Sequence, residues 1–140
     1  MNEKPMLTDD EWRSRLTPEA YHVLRKHGTE RAGSSPLNHV KEPGTFHCAG
    51  CGAPLFDRAA KFESGTGWPS FYKPIAEAQI GTQTDRSWFM TRTEVHCARC
   101  KGHLGHVFSD GPKPTGLRYC MNGVALEFVP EENKAPKPTP

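Results

Sequence analysis

The sequence predicts a small, mainly β domain tied together by a metal ion, and three observations support this prediction. The chain has 140 residues, enough for one domain with a core of its own. Its 13 glycines and 13 prolines favour frequent turns and short strands over a helical bundle, and turn residues recur about every eight to twelve residues, as in sandwiches and barrels. The chain has five cysteines, whereas a disulfide framework would use an even number. Four of the five form two matched pairs.

Charge and hydropathy argue against several classes of protein. The formal net charge is +2, from 18 basic and 16 acidic residues, which is too balanced to predict a nucleic-acid partner. Apolar runs are only a few residues long, so no membrane partner is predicted. Residues 1–6 lack the apolar core and the small-residue cleavage site of a secretory signal, and a cytoplasmic location is therefore expected.

Residues 1–28 are predicted to form two short helices that pack outside the β core. Thr8 followed by Glu11 is the pattern of a capping box at the start of a helix. Thr17 with Pro18 repeats the start signal, because proline suits the first helical position. A Lys-His-Gly run then ends the second helix.

The rest of the chain is predicted to be an irregular arm followed by short strands. Residues 29–44, rich in Gly, Ser and Pro, form the arm. Residues 1–130 form a single domain, and the Pro- and Lys-rich residues 131–140 are predicted to be disordered. The predicted strands cover residues 45–47, 55–56, 61–63, 70–72, 87–90, 91–96, 104–108, 117–122 and 124–129.

Two C-x-x-C turns, called the knuckles below, carry the strongest metal-binding signal. Cys48 and Cys51 form the first knuckle, Cys97 and Cys100 form the second, and a glycine lies close behind each. Each turn directs two thiolates at one metal, and two such turns give a saturated, structural four-thiolate site. Residues 52–96 separate the knuckles, so the site would join distant strands. The sequence therefore predicts one structural Zn²⁺ per chain.

Two other interpretations of the knuckles are open. A thioredoxin-like redox pair would sit at a helix start in a βαβ setting, of which the sequence gives no sign. Two local disulfides would be strained and are uncommon in the cytosol. A zinc ion with four cysteine ligands has no open position at which to activate water. Any chemistry must therefore lie elsewhere in the chain.

The remaining cysteine, Cys120, lies on a predicted strand between polar neighbours. In strand geometry Arg118, Cys120 and Asn122 point to one face. A guanidinium near a thiol favours the thiolate, and an amide donates a hydrogen bond to negative charge. The alternative is a buried structural cysteine, which is the commoner fate of a single thiol.

Two other segments carry candidate site residues. His103 and His106 could transfer protons at neutral pH if a turn at Gly105 brings them to one face. Alternatively, they cap loops near the second knuckle, or one replaces a cysteine as a zinc ligand. Trp68, in a loop with glycines on either side of Thr66, could form an apolar wall for a methyl or thioether group. A core tryptophan under a turn is the other interpretation.

Together these motifs resemble those of the methionine-R-sulfoxide reductases, which return the R epimer of methionine sulfoxide to methionine. The similarity runs from the helical N-terminus through Phe128. It implies a mainly antiparallel β fold of two small sheets, with zinc bound at the two knuckles. The matching stretches are C-A-G-C-G, G-T-G-W-P-S-F, C-A-R-C, H-L-G-H-V-F-S-D-G-P and R-Y-C-M-N.

The resemblance implies that Cys120 is the nucleophile and that the substrate is an oxidised methionine in a peptide or protein. The Cys120 thiolate attacks the sulfoxide sulfur, methionine leaves, and Cys120 becomes a sulfenic acid. A second thiol then reduces it. The other implied site residues are His103 and His106, which orient or protonate the sulfoxide oxygen, Arg118 and Asn122, which complete the pocket, and Trp68 and Phe108, which wall it.

Thr66 marks a departure from the commoner pattern of this family. Many members carry a resolving cysteine at that place, whereas the only cysteines here besides Cys120 are the four predicted zinc ligands. The sulfenic acid is therefore expected to be reduced directly by an external thiol, such as thioredoxin, glutaredoxin or a low-molecular-weight thiol.

Two rival functions remain on the same scaffold. A binding module would hold a ligand against Trp68 without turnover, but it would not need a thiol on the strand. A zinc-ribbon nucleic-acid binder would need a clustered basic stripe, and the near-neutral charge argues against one.

Overall fold

The computed structural model describes residues 8–87 and 90–131. They form two short helices and two antiparallel sheets, which confirms the predicted mainly β fold. The predictions for residues 1–7, for Trp88 and Phe89, and for residues 132–140 lie outside the described residues. The helices are α1 (Asp9–Arg15) and α2 (Pro18–Lys26). The strands are β1 (Gly44–Cys48), β2 (Pro54–Asp57), β3 (Lys61–Phe62), β4 (Ser70–Phe71), β5 (Ile80–Ser87), β6 (Met90–Cys97), β7 (His103–Phe108), β8 (Arg118–Met121) and β9 (Leu126–Pro130).

The two helices begin where the sequence predicts. Thr8 and Glu11 form the reciprocal capping box, with the Thr8 N–H donating to the Glu11 carboxylate at 2.8 Å. The Thr17 hydroxyl accepts from the Ala20 N–H, and α2 ends at His27, which takes a left-handed conformation with φ of 59°. Across the described residues, no helix is long and apolar enough to cross a membrane.

The core lies between the two sheets. One sheet has the strand order β2-β1-β9, and the other has the order β3-β4-β8-β7-β6-β5. An aromatic cluster joins them, because Phe46 of β1 and Phe56 of β2 pack against Phe71 of β4 with ring centroids 5.0 and 4.5 Å apart. All three rings are fully buried. The opposite face of β4 and β8 points away from this aromatic cluster.

Strand β5 is the element that the sequence pattern does not predict, apart from its last residue. Ile80–Ser87 pairs with β6 along its full length, but it forms the edge of the six-stranded sheet. An edge strand keeps polar side chains on its exposed positions, so its residues lack the apolar alternation that identifies a strand. Another boundary differs near the C-terminus, where residues 123–125 form a 3₁₀ turn instead of the start of a strand.

A bulge in the pairing of β6 with β7 places the two candidate histidines. Val95 pairs with Gly105 and His96 pairs with His103, so Leu104 is the extra residue. A single extra residue reverses the alternation of side chains along a strand. His103 and His106, three positions apart, consequently share one face, with ring centroids 5.5 Å apart. The bulge, not a turn at Gly105, brings them together.

Gly105 is required for a different reason. A Cβ atom at this position would lie 2.1 Å from the Cys120 carbonyl oxygen and 2.9 Å from the Met121 Cα. Only glycine lets β7 approach β8 this closely. That approach sets His106 directly opposite Cys120 in the strand pairing.

Candidate active site and metal-binding cluster

The four knuckle cysteines converge at one place. The first knuckle follows β1 and the second follows β6. Cys48 Sγ lies 3.7 Å from Cys100 Sγ, Cys51 Sγ lies 3.6 Å from Cys97 Sγ, and all four sulfur atoms are within 4.8 Å of one another. These contacts join one knuckle to the other, and the cysteines are free thiols. The cluster can therefore hold a metal ion between the two sheets.

The crowded thiols of the cluster affect one another's protonation. Hydrogen bonding with Cys100 raises the pKa of Cys48, and hydrogen bonding from the same thiol lowers the pKa of Cys51. Sulfur atoms this close repel one another when ionised, so a thiolate at one position keeps the proton on its neighbour. A bound cation would remove this conflict, because metal ligation deprotonates thiols.

The two knuckles fold in different ways. In the first, Gly52 has a positive φ of 83°, as expected of a glycine behind the pair. In the second, Lys101 takes that conformation with φ of 66°, and Gly102 does not. Gly102 is needed for space instead, since a Cβ there would lie 2.8 Å from a methyl of Leu24. Glycine therefore takes the left-handed conformation in one knuckle only.

Cys120 lies on the face of the six-stranded sheet that points away from the aromatic core. It pairs with Ser70 on one side and His106 on the other, in the middle of β8. Beside it is a cavity of about 100 Å³. The lining residues are Thr29, Trp68, Arg92, Gly105, His106, Phe108, Cys120 and Asn122. A larger open groove of about 790 Å³ lies between α2, the arm and the 3₁₀ turn after β8, but no thiol lines it.

Five of the seven predicted site residues outside the knuckles line this cavity, and two do not. Among the described residues, the lining omits His103 and Arg118. His103 is only 3% exposed and lies behind His106. Arg118 lies over the Phe108 ring, 4.4 Å from its centroid, and its guanidinium donates to both carboxylate oxygens of Asp110. Both residues therefore contact the lining rather than form it.

Burial decides the protonation of the Cys120 thiol. It raises the pKa of Cys120 above its ordinary value, although the side chains of Thr66 and Arg118 both act to lower it. The guanidinium favours the thiolate, as the sequence predicts, but the loss of hydration outweighs it. At neutral pH the group is therefore mainly a thiol.

Each candidate histidine has a carboxylate partner that sequence analysis missed. Glu94, 4% exposed, accepts from the His103 ring at 2.8 Å, and Asp85 lies 2.9 Å from His106 Nε2. Burial lowers the pKa of His103, while Glu94 acts to raise it. These carboxylates come from β6 and β5, so only the strand pairing could have identified them. No sequence motif around Glu94 or Asp85 indicates that it contacts a histidine.

The loop before β4 holds the indole and a hydroxyl at the cavity. Gly67 has φ of 94°, and a Cβ there would lie 2.8 Å from the Ala32 Cβ, so the loop needs glycine. Thr66 Oγ1 is within hydrogen-bonding distance of Ser64 Oγ at 2.8 Å and accepts from the Trp68 N–H at 3.4 Å. The Thr66 side chain also acts to lower the pKa of Cys120, which places it close to the thiol.

Comparisons with known proteins give one consistent family. The family model described as the SelR domain matches residues 16–130. The chain is 57% identical over 128 residues to the peptide methionine sulfoxide reductase MsrB of Pseudomonas fluorescens, covering 91% of this chain and 98% of that protein. It is 56% identical over 126 residues to the protein of the same name from Methanosarcina mazei, covering 90% of each. The identity to the Leptospira interrogans protein of that name is 50% over 131 residues, covering 94% and 100%.

A solved structure shares the fold at low sequence identity. The crystal structure of the Mis18 Yippee-like domain superimposes with a TM-score of 0.52 at 19% identity, covering 66% of this chain and 100% of that domain. At this identity the likeness concerns the arrangement of the strands alone.

Proposed function

Because the chain belongs to the SelR family of peptide methionine sulfoxide reductases, we propose that Cys120 reduces the R epimer of methionine sulfoxide in peptides and proteins. The enzyme is an oxidoreductase that returns methionine sulfoxide to methionine, a reaction that repairs oxidised protein. The observation that supports the assignment to Cys120 is the cavity that this thiol shares with Trp68, Phe108 and His106.

The chemical step needs only one thiol. The Cys120 thiolate attacks the sulfoxide sulfur while the oxygen gains protons, which makes it a better leaving group. The oxygen leaves as water while the Cys120 sulfur bonds to the substrate sulfur. A water oxygen then attacks the Cys120 sulfur, so that the S–S bond breaks, methionine leaves and Cys120 becomes a sulfenic acid. The substrate sulfur gains two electrons and the cysteine sulfur loses two. No further reactant is therefore required until the enzyme is recycled.

The two histidines have different tasks in this mechanism. His106 lines the cavity opposite Cys120 and is placed to protonate the sulfoxide oxygen, with Asp85 orienting its ring. His103 contacts the edge of the His106 ring and is fixed by Glu94. It therefore helps to orient the His106 ring.

The cavity suits the end of a methionine sulfoxide side chain. Trp68 and Phe108 provide apolar walls for the methyl and thioether groups. Arg118, held by Asp110, keeps the Phe108 ring in place. Because the volume is only about 100 Å³, the rest of a peptide must lie outside it. This supports an oxidised residue of a polypeptide as the substrate.

The knuckle cluster is proposed to hold one structural Zn²⁺. Zinc–sulfur bonds of about 2.3 Å in a tetrahedron separate the sulfur atoms by about 3.8 Å. The distances of 3.7 and 3.6 Å between the knuckles fit this geometry. Four cysteines saturate the ion, so its contribution is to hold the ends of β1 and β6 together.

An external thiol is proposed to recycle the enzyme. The chain has five cysteines, and four belong to the knuckle cluster. Thr66, whose side chain acts on the pKa of Cys120, has no thiol with which to form a disulfide. The sulfenic acid is therefore exposed to a reductant from solution, such as thioredoxin or a low-molecular-weight thiol.

Two measurements test this function. Turnover of separated R and S epimers of a blocked methionine sulfoxide peptide should occur on R alone; activity confined to S would refute the assignment.

Mass spectrometry after a single turnover without reductant should find one oxygen on Cys120. Thr66→Cys is the matched control, because it should give an intramolecular disulfide with Cys120 instead. A disulfide in the unmodified enzyme would refute recycling by an external thiol.

A further inference from the structure

Glu30 contacts two walls of the Cys120 cavity through its own peptide groups. It lies in the arm between α2 and β1. Its backbone N–H donates to Asn122 Oδ1 at 2.8 Å, and its carbonyl oxygen accepts from Trp68 Nε1 at 3.0 Å. Trp68 and Asn122 come from separate parts of the sequence, and both line the cavity. One residue thus connects the indole and the amide across the top of the site.

The Glu30 carboxylate fixes this residue in place. Its two oxygens accept hydrogen bonds from consecutive backbone N–H groups, Gly123 at 2.8 Å and Val124 at 3.0 Å. These groups open the 3₁₀ turn after β8, where the preceding residue, Asn122, gives no side-chain cap. The orphan amides of such a turn are satisfied well by an anion, because charge-assisted bonds are about twice as strong as neutral ones. Glu30 therefore acts as the cap from another segment.

The arm also packs closely against the 3₁₀ turn. A Cβ on Gly123 would lie 2.0 Å from Ser35 Oγ and 3.4 Å from Glu30 Oε2. The arm and the 3₁₀ turn are thus in contact along both the carboxylate and Ser35. A shift of Glu30 would move the hydrogen-bond partners of Trp68 and Asn122 with it.

We propose that Glu30 is a positioning residue of the reductase, which holds the Trp68 ring and the Asn122 amide at the places where they form the pocket for the sulfoxide. The proposal rests on the proposed function of Cys120. Through these contacts of Glu30, the arm takes part in substrate binding. Glu30 does not line the cavity, so its peptide groups act through Trp68 and Asn122, while its carboxylate charge also acts to raise the pKa of Cys120.

The test compares Glu30→Ala and Glu30→Gln with Glu19→Gln, an exposed position on α2. Glu30→Ala should raise KM for the R-sulfoxide peptide about tenfold, the effect of losing roughly one charge-assisted hydrogen bond. Glu30→Gln should have a smaller effect, because its amide offers one acceptor to two N–H donors. Glu19→Gln should leave kcat and KM unchanged. Should Glu30→Ala not fold, Glu30→Gln carries the test, since it keeps the volume of the side chain.

A spectroscopic measurement separates positioning from simple stability. The Trp68 indole N–H resonance, identified by its loss in Trp68→Phe, should move in Glu30→Ala and stay in place in Glu19→Gln. If Glu30→Ala lowers the melting temperature but leaves KM and the Trp68 resonance unchanged, the positioning role of Glu30 is refuted and the proposed function of Cys120 is not affected. An unmodified enzyme that fails to turn over either epimer would instead refute the proposed function on which the role rests.

Discussion

The cysteines of this chain occupy two regions with opposite surroundings. Cys48, Cys51, Cys97 and Cys100 meet at the ends of strands, in turns that direct sulfur toward sulfur. Cys120 lies in the middle of a strand, where its neighbours are a hydroxyl, an imidazole and an indole rather than another thiol. The same side chain is therefore a ligand in one region and a candidate nucleophile in the other.

The difference comes from the backbone and not from the thiol. A C-x-x-C turn brings two sulfur atoms close at small cost in chain entropy, so the cluster needs only the sheets to bring two turns together. An extended strand separates its side chains and presents each one singly to a face. A solitary thiol on such a face, beside proton donors, is free to react. Three substitutions separate the two roles.

The largest effect is expected from Cys120→Ser. A hydroxyl is a far weaker nucleophile than a thiol, so turnover should fall by at least about a thousandfold. The zinc content and the melting temperature should match those of the unmodified protein, because the two sulfur regions are separate. Activity on the R-sulfoxide peptide, metal analysis and thermal unfolding measured on one preparation check this. Residual activity within tenfold would place the chemistry elsewhere.

The next largest effect is expected from Cys97→Ser, which removes one ligand of the cluster. The binding energy of a structural zinc is folding energy, so the free energy of unfolding should fall by roughly 4 kcal/mol or more. Metal should be lost, and activity should fall only in proportion to the unfolded fraction. Folded protein below its melting temperature should thus keep its KM. A stable, zinc-free variant with normal melting would show that the cluster has no structural part.

Much of the site could be predicted because its signals are local. The knuckle spacing is read within four residues, and it identified all four members of the cluster without knowledge of the fold. Trp68, His106 and Cys120 were identified by motifs of a few residues each, and the cavity contains all three. Their meeting could not be derived from spacing, since it depends on the pairing of β4, β8 and β7.

The partners of these residues could not be predicted, for the same reason. Glu30, Asp85 and Glu94 are single carboxylates with no pattern around them, and each contacts the site from a distant segment. The bulge at Leu104 likewise depends on the register with β6, and without it the two histidines would lie on opposite faces. Local chemistry was therefore predictable, whereas the hydrogen bonds that orient it required the fold.

The smallest effect is expected in the ionisation of Cys120, and it tests how far the two regions differ in charge. Burial raises the pKa of the Cys120 thiol, so alkylation by iodoacetamide should reach half its maximal rate at a higher pH than for a free thiol. Arg118 acts in the opposite direction, because its positive charge favours the thiolate. Arg118→Gln should therefore move the midpoint upward by a fraction of a pH unit to about one unit.

The control is Arg58→Gln, whose native guanidinium donates to the Val40 carbonyl and which should leave the midpoint unchanged. With zinc bound, the four knuckle thiolates are protected, so the alkylated cysteine is Cys120. A downward shift in Arg118→Gln would contradict the sign argued from burial and charge.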